Sequence, residues 1–148
     1  MKLVAASAFL MSALAAPVFA GGHASGDAAA GEGEFRQCRA CHSIVDADGN
    51  DIVKGGMTGP NLWGLPGRQA GTEEGFDRYG DDLVAAGEAG LVWDEENFVP
   101  YVQDPAGHLA SVLEKDRARS MMSFRLRDEE DAVNIWAYIA SVSPEPES

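Results

Sequence analysis

The sequence predicts an all-α domain in which a first and a last helix enclose a loop-rich middle, and three observations carry that expectation. Residues 128–142 place Ala132, Ile135, Trp136 and Ile139 at helical spacing, so one face is apolar. Residues 49–75 contain Gly55, Gly56, Gly59, Gly64, Gly67 and Gly71, a density that argues for turns over regular structure. Ahead of that stretch stands Cys38-Arg39-Ala40-Cys41-His42, which holds the only two cysteines of the 148 residues.

Each element follows in order. Lys2 forms a short positive region, an apolar run extends from Leu3 to about Ala16, and Val18, Phe19 and Ala20 put small residues at the two cleavage-determining positions before Gly21. A membrane-spanning helix needs about 20 apolar residues, more than this run provides. Residues 1–20 therefore read as an export signal cleaved after Ala20, with retention as an N-terminal tether the alternative. Residues 21–148 then form a single domain, without an internal repeat or a linker. The small, polar segment 21–30 and the segment 143–148, with Pro144 and Pro146, read as frayed ends, the latter a disordered tail.

A first helix is expected from about Ala28 into Cys38, with Phe35 facing inward. A middle helix lies within residues 94–104 and is ended by Pro105. Capping by Asp94 would leave Pro100 in its interior, where proline removes a backbone bond and clashes with the preceding turn. A start at Asn97 instead puts Pro100 in the tolerated first turn. Asp128 caps the last helix, and Glu129, Glu130 and Asp131 sit in its first turn, where the dipole favours anions.

The pentapeptide carries the chemistry. C-x-x-C-H is the attachment signal for c-type haem: two thiols add across the vinyl groups of one porphyrin, and the adjacent histidine binds the iron from one axial side. A redox dithiol would leave His42 without a role, and a zinc site would need a second ligand pair that does not stand nearby. Attachment of this kind belongs outside the cytoplasm, in agreement with the export signal. One covalent haem c would fill much of the core. Its second axial ligand must come from His23, Met57, His108, Met121 or Met122. His23 sits in the N-terminal segment, and Met57 follows His42 by only fifteen positions, which keeps it on the histidine side. His108 follows Pro105 and Gly107 and reads as a surface or packing residue. The methionine loop before the last helix has room to cross the porphyrin. Adjacent side chains in an extended segment point opposite ways, so Met121 and Met122 cannot both bind.

Over nearly all of residues 21–148 the sequence resembles a class I c-type cytochrome, most of all the bacterial cytochrome c2 group, relatives of mitochondrial cytochrome c. The likeness runs through Ala30-Gly31, Phe35 to His42, Thr58-Gly59-Pro60-Asn61-Leu62, Gly67-Arg68, Tyr79-Gly80, Gly90-Leu91, Trp93 to Glu96, Tyr101 to Pro105, Met122 to Leu126 and Asn134 to Tyr138. The resemblance implies the class I fold, with N- and C-terminal helices crossing and short helices and loops wrapped around one haem. It implies Met122 as the axial methionine, with Met121 where lysine is frequent. It also implies that the Pro60 carbonyl accepts the imidazole N–H, that Arg68, Tyr79 and Trp93 serve the haem propionates, and that Tyr101 lies near the methionine sulfur. Gly31, Phe35 and Trp136 would form the helix crossing. Departures are Met121 for lysine, Pro100 within the third helix, and His108 where an aromatic is usual.

Bland alternatives stand beside these roles. A lone methionine such as Met122 is by default a core residue, Arg68 a solvated arginine, and Tyr79 and Trp93 core aromatics; a haem's need for a second ligand and for partners to its carboxylates outweighs those defaults. The acidic run 128–131 needs no role beyond starting a helix.

Charge narrows the function. The formal net charge is −13, which argues against nucleic acid and anionic lipid as partners. Yet Lys115, Arg117, Arg119, Arg125 and Arg127 fall within thirteen positions around the proposed ligand, and Arg36 and Arg39 flank Cys38. Both groups are expected near the haem edge, as a positive collar that steers encounter with an acidic docking surface, or as no more than a solvated face. With both axial positions filled by protein, no small-molecule substrate reaches the metal, and electron transfer remains. The leading reading is a soluble periplasmic monohaem carrier, not an enzyme. The resemblance suggests a cytochrome bc complex as donor and an oxidase, a photosynthetic reaction centre or a reductase as acceptor, with a monomer as its state. The rival is a haem protein with an open iron site, acting as a peroxidase or gas binder.

Overall fold

Residues 24–145 are described by the computed structural model; the expected export signal, His23 and the end of the C-terminal tail lie outside them. Helix α1 (Ala28–Glu34) begins at Asp27, whose carboxylate accepts from the N–H groups of Ala29 and Ala30. It tightens into a 3-10 turn, Phe35–Gln37, that delivers the chain to Cys38. Strands β1 (Ile44–Val45) and β2 (Asp51–Val53) pair antiparallel in a small hairpin. Helices α2 (Asp81–Glu88), α3 (Glu95–Gln103), α4 (Pro105–Val112) and α5 (Glu129–Val142) follow. The all-α class holds, with one two-stranded hairpin beside the helices.

Helix α5 runs through the core: Ile135, Trp136, Ile139 and Ala132 are all buried. Its crossing with α1 depends on a missing side chain, because a Cβ at Gly31 would lie 2.0 Å from the Asn134 carbonyl oxygen. Asn134 seals the contact, its Oδ1 accepting from the Asp27 N–H at 2.8 Å. Phe35 meets Tyr138 with ring centres 5.7 Å apart. Trp136, by contrast, pairs its ring with Phe98 of α3 at 5.2 Å, in the α3–α5 contact.

Four expectations change in detail. The middle helix starts after Asp94, not at Asn97; the Asp94 side chain accepts the Asn97 N–H at 2.8 Å, and Pro100 lies in the helix interior. The interior proline costs about 3 kcal/mol. Burial of Phe98, Val99, Tyr101 and Val102, at about 1.5–3 kcal/mol each, outweighs it. Pro105 does end this helix, and it also starts α4 as a first-turn proline, with Asp104 capping the Gly107 N–H. Helices α2 and α4 had no clear apolar periodicity and went unforeseen. The glycine-rich stretch is mostly turns, but Asp51–Val53 pairs as a strand because the loop from Asp46 to Asn50 closes a hairpin through the Asp46 carboxylate. Ser143, expected to open a disordered tail, is anchored: its Oγ accepts the Gly64 N–H at 2.9 Å.

Candidate haem centre

Cys38, Cys41 and His42 line one cavity of 270 Å³ together with Met122, Pro60, Arg68, Tyr79, Trp93 and Tyr101. Residues separated by up to 84 positions are thus brought to one apolar pocket, whose further walls include Leu62, Leu65, Leu83, Phe98 and Val102.

On the histidine side, the imidazole Nδ1 lies 2.8 Å from the Pro60 carbonyl oxygen. Burial holds His42 below its usual value of 6.5, with the Pro60 carbonyl pulling the other way, so the ring is neutral at pH 7. A neutral ring that donates from Nδ1 presents the Nε2 lone pair to a metal. The Pro60 loop is itself fixed: Asn61 accepts the Val45 N–H at 2.9 Å and donates to the Val45 carbonyl at 2.8 Å. Three glycines press directly on the haem motif. A Cβ at Gly55 would lie 1.8 Å from the His42 carbonyl oxygen, one at Gly56 2.3 Å from that of Ala40, and one at Gly59 2.3 Å from the His42 ring. Burial first, and then Cys41, pushes the Cys38 thiol up to about 11, so it is not a thiolate ligand at neutral pH. Among the described residues no group of three His, Cys, Asp or Glu could hold a metal ion. Paired thiols beside a neutral, oriented imidazole on an apolar cradle fit covalent haem.

On the opposite side the two methionines are distinguished. Met122 is half-buried against the core, and its N–H donates to Ser120 Oγ at 3.1 Å. Ser120 Oγ also lies 3.4 Å from the Tyr101 hydroxyl. Met121 also lines the cavity but is 76 % exposed, its side chain passing over Gly80. Met57 is 78 % exposed and lies outside the cavity lining, and the Arg78 guanidinium donates to its carbonyl. His108 packs edge-on to Tyr101 at 6.3 Å with Nε2 buried and unpartnered among the described residues.

At the third edge Arg68 is 15 % exposed and donates to the Asn61 carbonyl at 2.9 Å and the Trp63 carbonyl at 3.2 Å. Its charge is matched by Glu73, an ion pair the sequence did not suggest, and the Glu73 N–H donates to the Tyr79 hydroxyl. Trp93 is buried and stacks edge-on to Tyr101 at 4.9 Å. Arg78, Phe76 and Phe124 also line the cavity and were missed; an aromatic beside an arginine at 76–78 was the available signal.

The basic residues divide. Lys115 pairs with Asp82 at 2.7 Å, whose other oxygen accepts the Arg119 N–H, and Arg125 pairs with Asp104 at 2.9 Å. Part of the expected collar is therefore neutralised within the molecule. Arg36 and Arg39 line a separate cavity with Lys54, not the haem cavity.

Fold and site together define a class I monohaem c-type cytochrome. No protein-family profile matches the chain. It is 56 % identical over 133 residues to cytochrome c-551 of Roseobacter denitrificans, covering 90 % of each chain. To cytochrome c2 of Rhodovulum adriaticum it is 52 % identical over 119 residues, 80 % of this chain and 94 % of that one. The crystal structure of cytochrome c2 from Rhodobacter sphaeroides superposes with a TM-score of 0.79 at 48 % identity, covering 82 % of this chain and 99 % of that one. The chain belongs to the cytochrome c2 family. It carries one covalently attached haem c and is an electron carrier, not an enzyme.

Proposed function

We propose that the chain is a periplasmic shuttle that takes single electrons from a cytochrome bc complex to an oxidase, a photosynthetic reaction centre or a reductase, and works as a monomer. Residues 1–20 direct export and are removed, leaving residues 21–148 as the working domain. Cys38 and Cys41 would hold the haem through their thiols, and His42 and Met122 would supply a nitrogen and a sulfur to its iron. The observation that carries this reading is the convergence of these four side chains on one apolar cavity.

Bound haem supplies a one-electron ferric–ferrous couple. The protein sets its level. A neutral imidazole anchored by Pro60 and a soft thioether favour the ferrous state relative to two harder ligands. The apolar walls resist added positive charge, which acts in the same direction. Arg68, Tyr79 and Trp93 serve the propionate edge, and Tyr101 with Ser120 orients the methionine loop. Docking falls to the basic residues Arg36, Arg39, Lys115, Arg117, Arg119, Arg125 and Arg127. Lys115 and Arg125 contribute least, since Asp82 and Asp104 already share their charge.

The test is the far-red sulfur-to-iron band of the ferric protein, with Met122→Ala beside it. Wild type is expected to show the band. The variant is expected to lose it and to bind cyanide. A variant that keeps the band would overturn Met122 as the ligand and give the iron to another sulfur; a wild type without the band would mean that another residue binds the iron or that the site is open, as in a peroxidase or gas binder.

A further inference from the structure

Away from the haem cavity, a second cavity of 330 Å³ opens between the 3-10 turn, β2 and α5. Arg36, Arg39 and Lys54 converge there, three cations on one recess of a chain with net charge −13. Arg39 is already oriented. Its Nε donates to the Lys54 carbonyl at 2.9 Å, which fixes the guanidinium plane and leaves its two terminal nitrogens for another acceptor. Arg36 has no ion-pair partner among the described residues. Lys54 is 82 % exposed and only loosely paired with Asp51 at 3.8 Å.

Tyr138 supplies the second, independent feature. The residue is 7 % exposed, with its ring against Phe35, and it lines this cavity. Its hydroxyl has no hydrogen-bond partner among the described residues. Burial, and the nearby Glu32 charge, hold the phenol protonated, so it is a donor. Glu32 itself lines the cavity as the one acceptor facing these donors.

One fixed guanidinium, a second free one, an exposed ammonium and a phenol around a single carboxylate match an anion that itself carries a proton. We propose that this cavity binds inorganic hydrogen phosphate. Its anionic oxygens accept from Arg36, Arg39, Lys54 and Tyr138, and its P–OH donates to Glu32. Sulfate has the same shape and charge but no proton at neutral pH, so Glu32 would face a bare anion. A phosphodiester headgroup lacks both the second charge and the P–OH. Arg36 and Arg39 flank Cys38, so the bound dianion sits beside the haem attachment and favours the ferric state. It would also cover two cations assigned to docking.

The experiment is calorimetric titration of the haem-loaded full chain with inorganic phosphate at pH 7.5, at an ionic strength held constant with chloride. Sulfate and phosphatidylglycerol vesicles are run in parallel. Expected are saturable phosphate binding at least tenfold tighter than sulfate, a tenfold or greater loss in the Arg36→Gln/Arg39→Gln double variant, and a several-fold loss in Tyr138→Phe. Glu32→Gln is expected to bring phosphate and sulfate to equal affinity. The midpoint potential of wild type is expected to be lower in phosphate than in chloride, and that of the double variant indifferent to the change. Absence of saturable heat, equal affinity of wild type for the two anions, or phosphate binding untouched by the double variant would each overturn the proposal. So would vesicle binding through Arg36 and Arg39 without any response to phosphate, which would give the cavity to a lipid surface. None of these readouts depends on the redox partners, so they separate this site from the shuttle reading.

Discussion

On the histidine side of the haem cavity, backbone rests on backbone: Gly55 and Gly56 lie against the carbonyls of His42 and Ala40, and Pro60 takes the imidazole N–H. On the methionine side, the loop before Leu126 leans on side chains. Ser120 holds the Met122 N–H, Tyr101 approaches Ser120, and Asp82 ties Lys115 and the Arg119 N–H. The first arrangement tolerates no added atom, because neither backbone can move alone. The second has slack, since a lost hydroxyl or carboxylate leaves solvent-accessible groups behind. The histidine side is therefore the rigid half, and the methionine loop is the half expected to open first.

The comparison can be broken most directly at glycine. Gly55→Ala puts a methyl group 1.8 Å from the His42 carbonyl oxygen, and a loss of about 3 kcal/mol or more is expected in denaturant unfolding of the haem-loaded protein. Should this variant prove milder than Ser120→Ala, the assignment of rigid and slack halves is reversed. Next in size is Asn134→Ala at the helix crossing. It leaves the Asp27 N–H without its acceptor and should cost about 1–2 kcal/mol by the same measurement, with the far-red band unchanged.

Ser120→Ala sharpens the contrast. Loss of one side-chain bond is worth about 1 kcal/mol. It should appear as loss of the far-red band at lower denaturant, while global unfolding moves little. The smallest effect belongs to Asp82. Its carboxyl is held below the usual 3.8, chiefly by Lys115 and then by the Arg119 N–H. A carboxylate depressed in the folded state stabilises above its unfolded value, and that contribution disappears as pH falls through the lower folded value. The methionine loop should thus loosen in acid below about pH 4. Asp82→Asn should show weaker acid dependence of the far-red band in that range, and an unchanged acid profile would remove Asp82 from the loop's support.

Legibility in the sequence varied with how local the cause was. The haem motif, the last helix and the Asp128 cap lie in short contiguous segments. Their residue types and spacing are sufficient evidence. The start of the middle helix stays open in the sequence because the cost of Pro100 is visible there, whereas the burial of Phe98, Val99, Tyr101 and Val102 that offsets it is a property of the packed core. Helix α2 escaped notice since only Ala86 and Gly87 are buried in it, too few for a periodic signal. Glycine density was read as turns. Its deeper reason, room for the loop to lie on residues 40–42, needs the partner backbone in view.

By itself, the sequence determined the chemistry of this protein: two thiols and a histidine at covalent spacing, a set of soft candidate ligands downstream, and an apolar helix to close the core. Only the tertiary structure tells apart the two methionines that line the cavity: Met121 is 76 % exposed over Gly80, and Met122 is half-buried against the core. It also decided which cations remain free and which are matched by Asp82, Asp104 or Glu73. The physical reason is range. Covalent attachment and helix periodicity are set by neighbours a few positions apart, while side-chain direction and charge pairing depend on groups that folding brings together from distant parts of the chain.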